Sequence, residues 1–380
     1  MPFPASARLP WIDHLRTFVI FLVVCQHACV TYSHVGDWYA MSETEPTLAQ
    51  KIPFILWQAH LQSFFMGLLF FVSAYFAHAS LSRRGPASFI RERLIRLGLP
   101  TLLYMLVIHP FILLVLNPWD HNFGPTPKYY FNYLSSGRFI GESGPLWFAF
   151  ALLIFCLVLV AWRSARPAPP PSTSTPAPSA RALWFFGAVL VLATFATRLV
   201  QPIGTNVLNM QLCFFPQYIA FFLAGLHASR HRWLDVLASS SRARTAGWLA
   251  LIGGPSSLLA LLFLGAPADG NLGVFFGGWT PQAFALAAWE QLTGVGLSLG
   301  LLALFSSKLN FETPFLRWLA DRSFGVYVLH APVIIALFIL FRALPQNPYV
   351  LAALLTVTGL LVSYLVADLA RRTPGLRSIL

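Results

Sequence analysis

The sequence is poor in charged residues. Only 10% of its 380 residues are Asp, Glu, Lys or Arg, whereas 57% are hydrophobic, and its mean hydropathy is +0.67. A soluble domain usually carries about 25% charged residues. The shortage of charge therefore excludes an ordinary soluble domain and predicts an integral membrane protein.

Several motifs that carry function elsewhere are also missing. The sequence has no Walker loop, no Gly-rich dinucleotide motif and no internal repeat, which argues against an ABC-type ATPase and a nicotinamide enzyme. The net charge is +12, but the cations do not form a run, so no nucleic-acid partner is expected. The four cysteines fall inside predicted helices and are interpreted as small apolar residues, not as disulfide partners or metal ligands: Cys25, Cys29, Cys156 and Cys213.

The sequence has instead ten apolar stretches long enough to cross a hydrocarbon core of ~30 Å, which takes about 20 helical residues. They cover about 15–34, 54–79, 94–116, 145–163, 183–202, 212–229, 246–265, 282–305, 323–343 and 349–369. The first stretch lacks a small-x-small cleavage site, so it is interpreted as an uncleaved helix. We expect one all-α polytopic membrane domain over residues 1–380, with about ten transmembrane helices.

The positions of Lys and Arg predict the orientation. Twenty of the 25 lie on one side of the membrane if the N-terminus is cytoplasmic, which is a strong positive-inside signal. Both termini are therefore expected in the cytoplasm. The Pro/Ser-rich stretch 164–181, between helices 4 and 5, is then a cytoplasmic linker, because such a composition stays flexible or extended.

The longest outer loop, 117–144, mixes aromatic and polar residues. It is either an ordered loop that binds sugar faces or an aromatic belt at the membrane interface. Both interpretations remain open at this point.

An ionisable ring lies near the middle of the first helix, in "FVIFLVVCQHACVTY" (18–32). Such groups are rare in membranes and usually face a bundle interior or a wet cavity. Arg16 and His27 are 11 residues apart, so they share a helix face about 16 Å apart along the axis. Asp13 lies one turn before Arg16, where an ion pair can form. An imidazole suits proton transfer because its ordinary pKa is near neutrality; the alternative is a structural histidine that bonds a neighbouring helix.

A second cluster of interest is cationic. Arg93 and Arg96 share one helix face at the cytoplasmic start of helix 3, with Arg83, Arg84 and Arg91 nearby. Guanidinium groups match phosphate oxygens in a bidentate way. The alternative is ordinary positive-inside anchoring.

Five stretches together resemble the acyltransferase family 3 membrane proteins: "DHLRTFVIFLVVCQHACVTY", "FFVSAYF", "FIRERLIRLGLP", "GPLWFAFALL" and "SFGVYVLHAPV". The resemblance covers nearly the whole chain in the family's order, and its nearest subgroup is the glucan biosynthesis protein C type, whose members attach succinyl groups to periplasmic glucans. It implies a multi-pass O-acyltransferase of a bacterial inner membrane. Such an enzyme moves acetyl or succinyl from cytoplasmic acyl-CoA, its co-substrate, to a hydroxyl of a periplasmic or extracellular glycan, without a metal.

The resemblance also implies roles for single residues on the donor side. The family's helix-1 histidine falls on His27, the expected general base, and its helix-1 arginine on Arg16. Its Arg-x-x-Arg motif falls on Arg93 and Arg96, which are expected to contact the acyl-CoA phosphates.

Further donor-side residues come from helices 2 and 9. The family's Ser-Gly-Tyr is here Ser73-Ala74-Tyr75, and a methyl group where backbones approach closely would alter the pocket and the donor chain length. The late Tyr-x-x-His falls on Tyr327 and His330. We expect Ser73, Tyr75 and His330 to bind acyl-CoA, His330 by lining the donor channel about 10 Å from the inner end of its helix.

On the acceptor side, the family's Leu-Trp position falls on Trp147, and Glu142 lies just before it. Arg198 lies near the outer end of helix 5 and Glu290 lies a few turns into helix 8 from the outer side. These depths permit an ion pair, and buried charges are expected to be paired. That pair is either purely structural or part of the acceptor site. With Glu142 and Trp147, these two residues complete the predicted acceptor-binding set.

Two alternatives to an acyltransferase use the same polar groups. A transporter or flippase of a glycan or lipid-linked glycan is one, although inverted repeats, which would support it, are not evident. A sensory or scaffold protein is the other, and it leaves the buried histidine and the arginine face unexplained. Within the acyltransferase interpretation, direct transfer and an acyl-histidine intermediate both remain open.

Overall fold

The computed structural model describes residues 8–116, 126–166, 178–237, 240–267, 271–344 and 347–380. Within these ranges the chain forms helices and short 3₁₀ turns, with no β-strand. The helices are α1 Pro10–Ser33, α2 Leu48–Gln62, α3 Phe65–Arg84, α4 Pro86–Leu116, α5 Thr126–Ser135, α6 Trp147–Ser164, α7 Ala180–Arg198, α8 Phe215–His231, α9 Leu234–Leu237, α10 Ser241–Gly265, α11 Pro281–Lys308, α12 Pro314–Phe341, α13 Pro348–Arg372 and α14 Leu376–Ile379.

Ten spans in the described residues are long and apolar enough to cross a membrane, which confirms the predicted fold class and number of spans. The second span, Leu48–Arg84, combines α2 and α3 and is longer than the predicted stretch 54–79. Its polar first turn begins at a capping box of Thr47 and Gln50, which a search for apolar residues alone does not detect.

Helix starts follow local sequence signals. Helices α11, α12 and α13 each begin with a capping side chain that accepts a backbone N–H bond, followed by proline at the first helical position. These caps are Thr280, Thr313 and Asn347. Proline fits there because the first N–H groups of a helix have no partner in any case.

The bundle has two ends, which we call the terminal face and the loop face. At the terminal face, where α1 begins and α13 ends, Arg8 forms an ion pair with Asp321 at 2.9 Å. At the loop face, where α1 ends and α13 begins, Arg342 pairs with Glu43 at 2.9 Å. The predicted linker joins α6 to α7 at the terminal face; its residues 167–177, like 117–125 of the long loop, lie outside the described residues.

Helix α4 alternates between α-helical and π-helical turns, and one proline in it explains how the loop face is built. Pro110 has no N–H group to bond a carbonyl one turn earlier. In that turn the carbonyl oxygens of Leu106 and Met105 accept hydrogen bonds from the hydroxyls of Tyr130 (2.9 Å) and Tyr133 (2.6 Å). These bonds hold the short helix α5 against α4.

The break between α2 and α3 is held by a buried amide. The Gln217 side chain donates to the Ser63 carbonyl oxygen at 2.7 Å and to Gln291 Oε1 at 3.0 Å. The Ser63 carbonyl also approaches Gly294 so closely that an added Cβ would lie 1.9 Å from it. Two helices, α8 and α11, therefore fix the point where α3 begins.

Candidate active site

Two buried histidines from distant parts of the chain form one hydrogen-bonded pair. His27 Nδ1 lies 2.9 Å from His330 Nε2, and the two rings stack with centroids 5.0 Å apart. Helix α1 packs against α12 and brings them together. His330 is fully buried, whereas His27 is half-buried and lines a cavity.

The hydrogen-bond partners assign the tautomers of the neutral pair. His330 Nδ1 lies 2.8 Å from the Tyr327 carbonyl oxygen, which only accepts, so His330 carries its proton on Nδ1. Its Nε2 then accepts the Nδ1 proton of His27. His27 is left with a lone pair on Nε2. This is the arrangement in which a second group orients a histidine base.

Trp38 covers one face of the His27 ring. The indole and imidazole rings are nearly parallel, at 13°, with centroids 3.9 Å apart. Trp38 belongs to the segment between α1 and α2, which is anchored to α1 by a bond from the Ser42 N–H to the Thr31 carbonyl oxygen at 2.9 Å. The stack fixes the plane in which His27 Nε2 lies.

His27 lies deep in a cavity of about 970 Å³ at the loop face. That volume is at the upper end of the range for ligand pockets in proteins. The wall is rich in aromatic and polar side chains, among them Trp38, Tyr39, His109, Tyr129, Tyr133, Glu142, Trp147, Asn209 and Tyr218. It can therefore hold a molecule with several hydroxyl groups against ring faces.

A second hydrogen-bonded array lies on the wall of the same cavity. His109 Nδ1 is 2.9 Å from the Tyr39 hydroxyl, and His109 Nε2 is 3.5 Å from a Glu142 carboxylate oxygen. The His109 ring stacks on Tyr133 at 5.8 Å. Gly144 lets these rings meet, because its φ is +50° and an added Cβ would lie 2.4 Å from the Tyr104 ring.

Charge around Glu142 is unevenly compensated. Burial raises the pKa of the Glu142 carboxyl group, the Arg138 guanidinium lowers it and the Asp37 carboxylate raises it further. Burial also raises the pKa of the Tyr133 hydroxyl, with the Glu142 charge acting in the same direction. Both groups are thus shifted toward their protonated forms. The protonated Glu142 carboxyl group can donate a hydrogen bond to a sugar oxygen, whereas the Tyr133 hydroxyl already donates to the Met105 carbonyl oxygen.

The predicted donor-side arginines gather at the terminal face. The positive charges of Arg93 and Arg96 act on the Arg16 guanidinium, across the gap between α4 and α1. The acidic partners of this cluster contact it at the outer limit of an ion pair: Asp13 is 3.9 Å from Arg16 and Glu92 is 3.7 Å from Arg96. The predicted contact between Asp13 and Arg16 is confirmed, although Asp13 binds Arg8 more closely, at 2.6 Å.

The other predicted donor residues lie apart from one another. Ser73 and Tyr75 are half-buried on α3 and do not line the cavity. The methyl group of Ala74 packs toward Gly225 of α8, where an added Cβ would lie 2.9 Å from it, so the change from the family's glycine falls in a helix interface. His330 contacts His27 directly, which suits a positioning role better than a channel lining.

Of the predicted acceptor residues, Glu142 and Trp147 line the cavity, whereas Arg198 and Glu290 do not. The latter two form the expected ion pair, with Arg198 Nη2 2.7 Å from Glu290 Oε2. Gln291 donates to the other Glu290 oxygen at 2.9 Å. The pair thereby joins the amide network that holds the break between α2 and α3.

Sequence reasoning missed His109, Tyr39 and Trp38. His109 carries the same signal as His27, an ionisable ring inside a predicted span, and attention to that signal finds it. Trp38 and Tyr39 carry no such signal, because aromatic residues just outside a span are ordinary at membrane interfaces.

Cys29, Cys156 and Cys213 are buried and Cys25 is half-buried, all as free thiols. Among the described residues, no group of three or more His, Cys, Asp or Glu side chains is arranged to hold a metal ion.

Comparison with known proteins gives one match. The model of the family described as "Acyltransferase domain" matches residues 9–368, nearly the whole chain. No curated protein and no solved structure matches the chain.

Proposed function

The chain belongs to the acyltransferase domain family and is a multi-pass membrane acyltransferase, and from this premise we propose that it moves an acetyl or succinyl group from acyl-CoA to a hydroxyl of a glycan. The observation that carries the proposal is the pair of His27 and His330, whose hydrogen bonds leave a lone pair on His27 Nε2 beside the cavity. A glycan transporter, the alternative that the sequence leaves open, gains no support from a family of acyltransferases.

His27 is the proposed general base. Its Nε2 takes the proton of the acceptor hydroxyl while the oxygen attacks the thioester carbonyl carbon. A tetrahedral intermediate forms, the C–S bond then breaks, and the leaving thiolate takes the proton from Nε2. His27 is therefore neutral again at the end of the reaction, and no second proton acceptor is required. His330 holds the tautomer throughout, because its Nε2 keeps the Nδ1 proton of His27 engaged.

Acyl-CoA is the proposed donor because the arginine cluster at the terminal face suits its phosphates. Arg16, Arg93 and Arg96 come from two helices and have two acidic partners, Asp13 at 3.9 Å from Arg16 and Glu92 at 3.7 Å from Arg96. A planar guanidinium group binds two oxygens of a phosphate at once, so a cluster of such groups favours a polyanionic ligand. Ser73 and Tyr75 on α3 lie between the two faces and are proposed to contact the acyl-pantetheine arm.

A glycan is the proposed acceptor because of the cavity at the loop face. Its wall offers aromatic faces, including Trp147, and hydrogen-bonding groups, including Glu142. Sugars present apolar ring faces and many hydroxyls, so the two kinds of group complement them. The cavity reaches His27, where the reacting hydroxyl would meet the thioester.

The two substrates are proposed to arrive from opposite sides of a bacterial inner membrane. The terminal face carries most of the Lys and Arg residues, so the positive-inside rule puts it in the cytoplasm, where acyl-CoA is made. The loop face then opens to the periplasm or the exterior, where a glycan acceptor lies. At mid-depth in the membrane, a base such as His27 lies where the donor from one side and the acceptor from the other can meet.

Purified wild-type protein in detergent tests this function. We expect release of CoA from acetyl-CoA or succinyl-CoA to depend on a glucan acceptor and to produce a glycan ester. His27→Ala should slow this reaction by about 10²–10⁴-fold, the usual contribution of a general base, with normal membrane insertion. A transfer rate equal to the wild type in His27→Ala would remove this residue from the mechanism. A burst of about one CoA per enzyme in the acceptor-free reaction would indicate an acyl-histidine intermediate.

Binding of acyl-CoA to arginine variants tests the donor site separately. Arg96→Lys keeps the charge but loses the planar fork, so we expect weaker binding by about 1–2 kcal/mol for each charge-assisted bond lost. Arg83→Ala is the matched control, because Arg83 is exposed at the same face and a topology role suffices for it. Equal affinity in wild type, Arg96→Lys and Arg83→Ala would reduce the arginine cluster to a topology signal.

A further inference from the structure

Beside His27 lies a hydrogen-bond donor without a partner. The indole nitrogen of Trp38 is buried and makes no hydrogen bond within the described residues. The ring that carries it stacks on His27 with centroids 3.9 Å apart and lines the cavity. A buried indole N–H normally finds an acceptor, so one that lacks it calls for an explanation.

Two neighbouring hydroxyl donors are already engaged. The Thr31 hydroxyl donates to the His27 carbonyl oxygen at 3.1 Å, and the Tyr327 hydroxyl donates to the Pro145 carbonyl oxygen. Gln26, the residue before His27, also lines the cavity; its amide oxygen is buried without a partner, and its amide nitrogen is a second potential donor. The Trp38 N–H is thus the donor on the ring stacked against His27, and it has no acceptor among the described residues.

We propose that the Trp38 indole N–H is the donor that stabilises the oxyanion formed when the acyl thioester is attacked beside His27. This assignment rests on the proposed function. Attack on the carbonyl carbon moves the C=O π pair onto the oxygen, and the N–H group donates to that oxyanion. When the C–S bond breaks, the pair returns to the C=O bond and the thiolate takes a proton from His27.

The location suits this role on electrostatic grounds. A fixed donor in a site of low dielectric stabilises a developing negative charge far more than the same donor does in water. The stack on His27 holds the donor at a constant position relative to the base. The same oxyanion arises whether the attacking atom is the acceptor oxygen or His27 Nε2, so the assignment holds for both routes.

Trp38 also packs against His27. The contribution of this packing can be separated from that of the N–H group by substitution. Trp38→Phe keeps a stacked aromatic ring but has no N–H group. Replacement of Trp38 by 3-benzothienylalanine keeps the size and shape of the indole and exchanges only N–H for sulfur. A pure stacking role predicts near wild-type rates for both variants, whereas an oxyanion donor predicts slow transfer in both.

The experiment measures acceptor-dependent release of CoA by wild type and by these two variants. We expect kcat to fall by about 10²–10³-fold, as on removal of one oxyanion donor. Acyl-CoA affinity, the thermal midpoint and the pH dependence of kcat should match the wild type, because the base and its partner are unchanged. If Trp38→Phe folds poorly, the benzothienylalanine variant answers the same question.

The matched control is Trp233→Phe. Trp233 also has a buried indole nitrogen without a hydrogen bond in the described residues and also packs beside a histidine, His227, at 4.8 Å. It lies at the terminal face, away from the cavity. We expect its variant to transfer at the wild-type rate.

Each outcome has a separate meaning. A wild-type rate in the Trp38 variants overturns the oxyanion assignment and leaves the proposed function intact. Equal slowing in Trp233→Phe also overturns it, since loss of any buried indole N–H would then have the same effect. Absence of acyl-CoA turnover in the wild type overturns the proposed function and this assignment with it.

Discussion

At the scale of single residues, His330 links the backbone of one helix to the ring of another. Its Nδ1 is bonded to the Tyr327 carbonyl oxygen of its own helix, and its Nε2 faces His27 Nδ1. Because a neutral imidazole has one donor and one acceptor, the first bond decides what the second can be. His330 therefore acts on the reaction through His27, as a positioning residue.

Replacement of His330 distinguishes positioning from donor binding. His330→Leu removes the acceptor for the His27 Nδ1 proton, so we expect kcat to fall by up to about 10⁴-fold, the loss caused by a wrong tautomer in a Ser–His–Asp triad. His330→Gln retains an acceptor oxygen and should lose less. Acyl-CoA affinity, measured by calorimetry, should be unchanged in both. A weakened affinity with unchanged kcat would instead support the predicted role in the donor channel.

At the scale of helices, the break between α2 and α3 depends on a chain of buried polar side chains. The chain runs from Arg198 through Glu290, Gln291 and Gln217 to the Ser63 carbonyl oxygen. The Arg198 guanidinium is fully buried, and two of its nitrogens have no hydrogen bond in the described residues. Its charge is tolerated because Glu290 neutralises it.

Variants of this pair separate a structural role from acceptor binding. Glu290→Gln alone leaves a buried unpaired cation, so we expect a loss of about 3–5 kcal/mol of stability. Arg198→Met combined with Glu290→Gln removes both charges and keeps an oxygen for Gln291, and Met packs well against the Phe214 ring that the guanidinium now faces. The double variant should recover the thermal midpoint.

The same double variant decides the function of the pair through its activity. With a structural pair, we expect a wild-type KM for the glycan acceptor. A stable double variant with a strongly raised KM would assign the pair to acceptor binding, the other interpretation that the sequence allows.

At the scale of the whole molecule, the two faces differ strongly in the number of cations that they carry. Of the five Lys and Arg residues at the loop face, three are engaged with acidic side chains: Lys51 with Glu45, Arg342 with Glu43 and Arg198 with Glu290. The terminal face carries the other twenty cations. Ion pairs also occur at the terminal face, for example between Arg322 and Asp368, so the positive-inside signal rests on the number of cations at each face.

Tag accessibility in intact cells or spheroplasts tests the orientation. Tags at both termini and in the 164–181 linker should be reached only from the cytoplasm, whereas a tag at Gly137, in the loop before Glu142, should be reached from outside. The tag follows Gly137, which is itself kept because its φ of +71° favours glycine, and an added atom there would meet nothing within 4 Å. Labelling of the linker from outside would exchange the donor and acceptor sides proposed here.

The sequence by itself determined the class of protein, the ten spans and the face on which the arginines lie. These features depend on local quantities, namely the length of apolar runs, capping residues and the spacing of Arg16, Arg93 and Arg96 along helices. The pairing of Arg198 with Glu290 also followed from sequence, because two charges at similar depth in a membrane have few other partners.

Only the tertiary structure decided which side chains share the cavity. His27 and His330 are 303 residues apart, and nothing local to either signals that one ring bonds the other. The same holds for Glu142 against His109 and for Trp38 against His27, because each contact depends on how helices and loops pack. Helix periodicity predicts which face of a helix a residue occupies. Only the packing of the helices decides which residues that face contacts.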